Sequence, residues 1–139
     1  MLGTLALAAA IQLSAQVQEL APGTQYDPSI PTLEDVVGHD FREEITPPDQ
    51  VVRYFEALAD AARDRTQLIQ YAESWEGRPL VILVIGSRER IAALDDVKAG
   101  LVRLAQPDGL SEAEADALIA DLPVVTALMH GVHGNEISS

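Results

Sequence analysis

The chain has no cysteine in its 139 residues. That excludes a disulfide framework, a thiolate zinc site and a cysteine nucleophile, and leaves histidine, aspartate and glutamate as the side chains able to hold a metal. Aromatic residues are few, at 4% of a chain that is 47% hydrophobic, so any core is built from aliphatic side chains. Basic residues are scarce too. Nine Lys and Arg face 22 Asp and Glu, for a net charge of −13. With no Lys/Arg cluster to offset it locally, this balance repels phosphate backbones and anionic headgroups and excludes nucleic acid as the expected partner. Uninterrupted apolar runs are also short. The one uncharged stretch that is also strongly apolar, residues 1–15 (MLGTLALAAAIQLSA), is too brief to span a bilayer comfortably.

What is present divides into three stretches. Residues 1–15 read as a secretory signal peptide with cleavage after Ala15, so a secreted or periplasmic location is expected, with no membrane span in the mature chain. The n-region carries no Lys or Arg, and the alternatives are a buried amino-terminal helix or a misassigned start codon. Residues 16–47 form an arm rich in breakers, including Pro22-Gly23, Asp27-Pro28 and Ile30-Pro31, and are expected to lie extended on the surface. Within the arm, Thr32 can cap one helical turn over residues 33–37. His39 has no ligand partner in helical register and reads as a solvated loop histidine.

Residues 48–139 have the spacing of a folded domain. Val51, Val52, Phe55, Leu58, Ala59 and Ala62 share one face of a helix expected over 48–65. Residues 68–74 and 79–87 then read as two strands of a hairpin around Trp75-Glu76-Gly77-Arg78, the second apolar enough to be central. Tyr71 and Trp75 are expected as cross-strand or core aromatics, with an aromatic substrate shelf as the less favoured alternative. The spacing predicts one helix, or two broken at Gly100, over 88–105. Ser111 and Glu114 form a capping-box pattern that opens a helix reaching about Ala120. Helix, two strands, helices, strand is an α/β order, with helices covering a mixed sheet.

The last strand is expected over Val124–Met129, running into His130-Gly131-Val132-His133-Gly134-Asn135-Glu136. An apolar strand that ends in polar, glycine-rich sequence delivers side chains to the carboxyl end of a sheet, where α/β proteins bind ligands. His133 and Glu136 have the spacing His-x-x-Glu, which is ordinary by chance in so acidic a chain and gains weight from the strand before it. Zinc takes a neutral imidazole and a carboxylate, and a tight turn three residues long brings both to one side. His130 and His133 make a rival His-x-x-His pair; His130 is expected to support the turn instead, and Asn135 either to hydrogen-bond substrate or to fix the loop.

The segment Met129–Glu136 resembles the zinc-binding segment of the carboxypeptidase A-like zinc metallopeptidases. A second stretch, Glu73-Ser74-Trp75-Glu76-Gly77-Arg78-Pro79-Leu80 followed by Val81–Ser87, resembles that family's early hairpin, and the helix at 48–65 falls where the family has its first. The resemblance covers residues 48–139 and implies the amino-terminal part of the family's catalytic domain. It implies an α/β fold, a three-layer α/β/α sandwich with a mixed sheet, incomplete at its C-terminal end, and one zinc ion held by His133, Glu136 and a later histidine. The implied activity is hydrolysis of C-terminal peptide bonds by zinc-activated water, with a glutamate base. That histidine, the glutamate and the substrate-binding arginines have no counterpart in this sequence, so the chain is expected to be inactive alone. Asn135 stands where many relatives carry arginine, and His-Gly-Asn-Glu occurs too in related deacylases of acyl-amino acids, so peptide and acyl-amino-acid substrates both remain open. A non-catalytic secreted binding domain is the other alternative. The strand over Val124–Met129 is expected to leave an open edge prone to aggregation.

Overall fold

The computed structural model describes residues 23–130. The expected signal peptide at 1–15 and the candidate residues His133, Asn135 and Glu136 lie outside them. The described residues form α1 (Leu33–Val37), α2 (Pro48–Ala61), β1 (Thr66–Glu73), β2 (Pro79–Ile85), α3 (Arg88–Ala92), α4 (Leu94–Ala105) and α5 (Glu112–Asp121). Helices therefore accompany a two-stranded antiparallel sheet, a mixed α/β arrangement.

Local chemistry explains most of these boundaries. Thr32 and Asp35 form a reciprocal capping box at α1, and Gly38 ends that helix in the left-handed region at φ 91°. Pro48 opens α2, where its missing N–H costs nothing and its fixed φ suits a helix. The helix stops at Ala61 rather than at Arg65. Ala62 leaves helical geometry, its carbonyl accepts from the Arg65 amide at 2.8 Å and from the Thr66 hydroxyl at 2.9 Å, and this turn starts β1 at Thr66. The apolar face of α2 is turned inward as its spacing predicts, with Tyr54 beside it.

β1 and β2 pair from Thr66↔Ile85 to Glu73↔Pro79, with an irregularity at Tyr71, between Gln70 and Ala72. Ser74 ties the connecting turn. Its amide donates to the Arg78 carbonyl at 2.9 Å, its hydroxyl accepts from the Arg78 amide at 3.1 Å, and Gly77 turns at φ 76°. The aromatics of this hairpin are not in a core. Tyr71 is 61% exposed and Trp75 fully so, because Tyr71 falls at the irregularity and Trp75 at the tip of the turn. Nor is β2 central, since β1 is its one strand neighbour among the described residues.

Ser87 caps α3 instead of extending β2, and the break in the 88–105 helix falls at Ala93 rather than Gly100. Gly100 stays helical and buried because Leu122 lies against it; a Cβ built there would meet Leu122 Cδ2 at 2.8 Å. Ser111 and Glu114 form the second capping box and open α5 as their spacing predicts. The main contacts join α1 to α2, α2 to both strands, α3 to α4, and α4 to α5. Burial is correspondingly thin: among the described residues the buried hydrophobic side chains are Ala62 and Val97. No helix among them is long and apolar enough to cross a membrane.

Candidate functional site

The segment that should carry the site is rooted firmly. Arg90 donates to the Asp121 carbonyl at 2.6 Å, and Leu122 covers Gly100, so the chain leaves α5 against both α3 and α4. Beyond Pro123 the support stops. Residues 123–130 are not a strand, and Val124, Leu128 and Met129 are 96%, 79% and 81% exposed. The expected buried strand over Val124–Met129 is therefore corrected: a strand needs a neighbour for its amides and carbonyls, and none of the described residues pairs with it. His130, at the end of this segment, is exposed.

His39 is the second correction. It is 7% exposed rather than solvated. Its Nδ1 lies 3.2 Å from the Asp40 carbonyl, the geometry of an N–H donor, and its Nε2 is buried with no hydrogen-bond partner among the described residues. The arm around it is tied to α2: Arg53 donates to the Val36 carbonyl, the Tyr54 hydroxyl donates to the Pro31 carbonyl at 3.4 Å, and Arg65 reaches Asp27 at 3.6 Å. Nothing in the sequence around His39 separates a buried imidazole from a loop one, because its burial comes from the fold of the arm. Gly100, by contrast, carried a signal. A glycine inside an apolar helical pattern marks a close approach, here that of Leu122.

The electrostatics of the described residues belong to caps and turns. The Ser29 hydroxyl and amide hold Asp27 below its ordinary pKa, with a smaller contribution from Arg65, and the Thr32 amide and hydroxyl do the same for Asp35. Glu114 is lowered by the Ser111 hydroxyl and amide. Two shallow, open grooves occur, one lined by Arg103, Leu110, Glu114, Ala117 and Leu118, the other by Glu56, Ala59, Asp60, Arg63, Thr66 and Leu68. Neither contains a histidine. Among the described residues no group of three or more His, Asp or Glu side chains is placed to hold a metal. Compared with protein-family models, curated proteins and solved structures, the chain matches none.

Proposed function

We propose that the chain is the amino-terminal part of a secreted zinc metallocarboxypeptidase domain, in which His133 and Glu136 are metal ligands. The observation that carries the reading is the order of two motifs, Glu73–Ser87 and Met129–Glu136, separated by helices. The first of them is a hairpin closed by Ser74, Gly77 and Arg78, which agrees with what the resemblance implies for that stretch. The three-layer sandwich belongs to this proposal; helices and a two-stranded sheet are compatible with it.

The donor chemistry fits zinc. An imidazole and a carboxylate are ordinary zinc ligands, and the cysteine-free composition leaves no thiolate to compete for the ion. When bound, zinc polarises a carbonyl and lowers the pKa of a coordinated water. His133 would contribute a neutral imidazole lone pair, and Glu136 a negative charge. His130 would support the turn, and Asn135 would orient a substrate carbonyl or the loop. Two protein ligands leave a catalytic site one short, and no residue here matches the family's glutamate base, which contributes about a hundredfold or more. The 139-residue chain should therefore bind zinc weakly and hydrolyse nothing.

Asn135 favours a second reading, a deacylase of acyl-amino acids, because His-Gly-Asn-Glu is the form found in those relatives. The test is zinc titration by calorimetry on the full chain, with His133→Ala, Glu136→Gln and His130→Ala. Binding that is lost in the first two variants and kept in the third supports the ligand set. Equal loss with His130→Ala shifts the site to the His-x-x-His pair, and zinc binding unchanged in all three removes the metallopeptidase reading. Amino-terminal sequencing of the exported protein checks the cleavage after Ala15.

A further inference from the structure

We propose that Asp108-Gly109 is a self-modification site, at which the chain converts Asp108 to an isoaspartyl residue with Arg103 promoting the step. The inference concerns the loop between α4 and α5 and stands apart from the zinc reading. The reaction joins the Asp108 side chain to the Gly109 amide nitrogen. That nitrogen attacks Cγ of a carboxyl group that has taken up a proton. The nitrogen's own hydrogen and the carboxyl's hydroxyl leave together as water, and a five-membered succinimide remains. Water then adds to the Asp108 main-chain carbonyl and breaks its bond to nitrogen, so the chain continues through the former side chain. One water leaves and one enters, and the mass is unchanged.

Three things hold an aspartate back from this reaction, and Asp108 is free of each. A side chain on the next residue crowds the attack, and Asp108 is the one aspartate of the chain that precedes glycine. Nothing lies within 4 Å of the place where a Gly109 Cβ would be. An amide committed to a hydrogen bond is a poor nucleophile. Leu110 donates to the Pro107 carbonyl at 2.8 Å, whereas the Gly109 amide meets no acceptor among the described residues. Finally, a carboxylate engaged elsewhere is held away from the backbone. Asp60, Asp64 and Asp121 pair with Arg63, Arg88 and Arg90, and Asp27 and Asp35 accept from hydroxyls. The Asp108 carboxylate has no such partner among the described residues, and both it and Gly109 are exposed to water.

The fold adds a group that favours the step. Arg103, in the last turn of α4, donates through Nη1 to the Gln106 carbonyl at 2.6 Å and to the Asp108 carbonyl at 3.3 Å. When the Gly109 nitrogen loses its hydrogen, the negative charge is shared with the oxygen of the same peptide group, which is the Asp108 carbonyl. A guanidinium already at that oxygen stands where charge develops, as donors do in an oxyanion hole. The product inserts one carbon into the main chain between Asp108 and Gly109. The turn that joins Pro107 to Leu110 then no longer closes as before, two residues ahead of Ser111, the cap of α5, comes the longer backbone, and the start of that helix loosens.

Prolonged incubation of the folded full chain at neutral pH, followed by digestion with an endoprotease that cuts before aspartate but not before isoaspartate, decides the matter. The cut before Asp108 should disappear with time at unchanged mass, while the cuts before Asp64 and Asp121 persist. Arg103→Gln should slow that loss about threefold, the size an exposed charge-assisted bond supports, and Arg103→Lys should restore part of the rate. Both variants keep the fold if their circular dichroism matches that of the parent, and hydroxylamine added during incubation should trap the succinimide at Asp108. A cut before Asp108 that stays complete in the folded chain overturns the proposal. So does a loss that occurs only in the urea-unfolded chain, or one shared equally by the other aspartates. A rate in Arg103→Gln equal to or above the parent's overturns it as well, because the loop would then convert without the guanidinium.

Discussion

The arm of residues 23–47 is polar and broken by prolines, yet it is held; residues 123–130 are apolar, yet they are bare. The arm gives its carbonyls to Arg53 and Tyr54 and encloses His39 at 7% exposure. The later segment leaves Val124 at 96% and Met129 at 81%. Hydropathy alone would have ordered them the other way. What separates them is whether the fold brings a partner: donors on α2 reach the arm's carbonyls across 17 and 23 residues, whereas Val124, Val125, Leu128 and Met129 meet no covering element among the described residues. Burial follows the surface that the fold brings to a segment as much as it follows apolarity.

The largest change in this contrast is expected from loosening the root of the bare segment. Gly100→Val places a branched side chain where even a Cβ meets Leu122 Cδ2 at 2.8 Å, so Leu122 must leave or α4 must shift. A cost of about 2 kcal/mol follows from overpacking of this kind, read as a lower urea midpoint at unchanged slope. A midpoint equal to that of the parent would show that Leu122 anchors nothing. Ser111→Ala acts one step further away, on the helix that carries the root. Loss of the cap that accepts from the Glu114 amide at 3.3 Å should cost about 1 kcal/mol, and Ser111→Asp should restore most of it.

Acid distinguishes the two regions without a mutation. The Thr32 amide and hydroxyl hold the Asp35 carboxyl below its ordinary value, and Ser29 with Arg65 does so for Asp27. A carboxylate lowered in the folded state stabilises above the ordinary carboxylate range, and that contribution is lost as pH falls through the lowered value. As pH falls below the ordinary carboxylate range the amides of α1 should therefore lose protection, while residues 124–129, which have no titratable side chain, show no such step. Asp35→Asn should remove most of the step at α1; an acid transition of unchanged size there would rule out the cap as its source.

Much of this was legible where the cause is local. Pro48 and the apolar face after it announce α2, Thr32 and Ser111 announce their helices, and Gly77-Arg78 announces the turn between two apolar strands. Local signals also fixed boundaries only to within a turn, since Ala62 and Ser87 leave their elements through capping geometry that periodicity does not encode. His39 and Trp75 depart from expectation for one reason: whether a side chain is covered depends on what the rest of the chain brings to it. The proposed metal motif is of the same kind. Its residue types and spacing can be read at His133 and Glu136, but a ligand set is a tertiary object, and three donors do not follow from two.

The finest test of the arm's attachment is Tyr54. Burial, with a smaller contribution from the Asp35 charge, raises its phenol above the ordinary tyrosine value, so the fold favours the neutral form. That contribution is fully present below about pH 10 and is lost as pH rises through the raised value. At neutral pH, Tyr54→Phe should cost no more than about 0.5 kcal/mol, because its 3.4 Å bond to the Pro31 carbonyl is long and partly open to water. Above pH 10 the variant should instead keep α1 protected where the parent loses it. Asp35→Asn should make the parent's alkaline loss smaller by relieving the repulsion that the phenolate meets. An alkaline step that persists in Tyr54→Phe would mean that the arm is held through other contacts, and the contrast with residues 123–130 would then rest on Arg53 and the enclosure of His39.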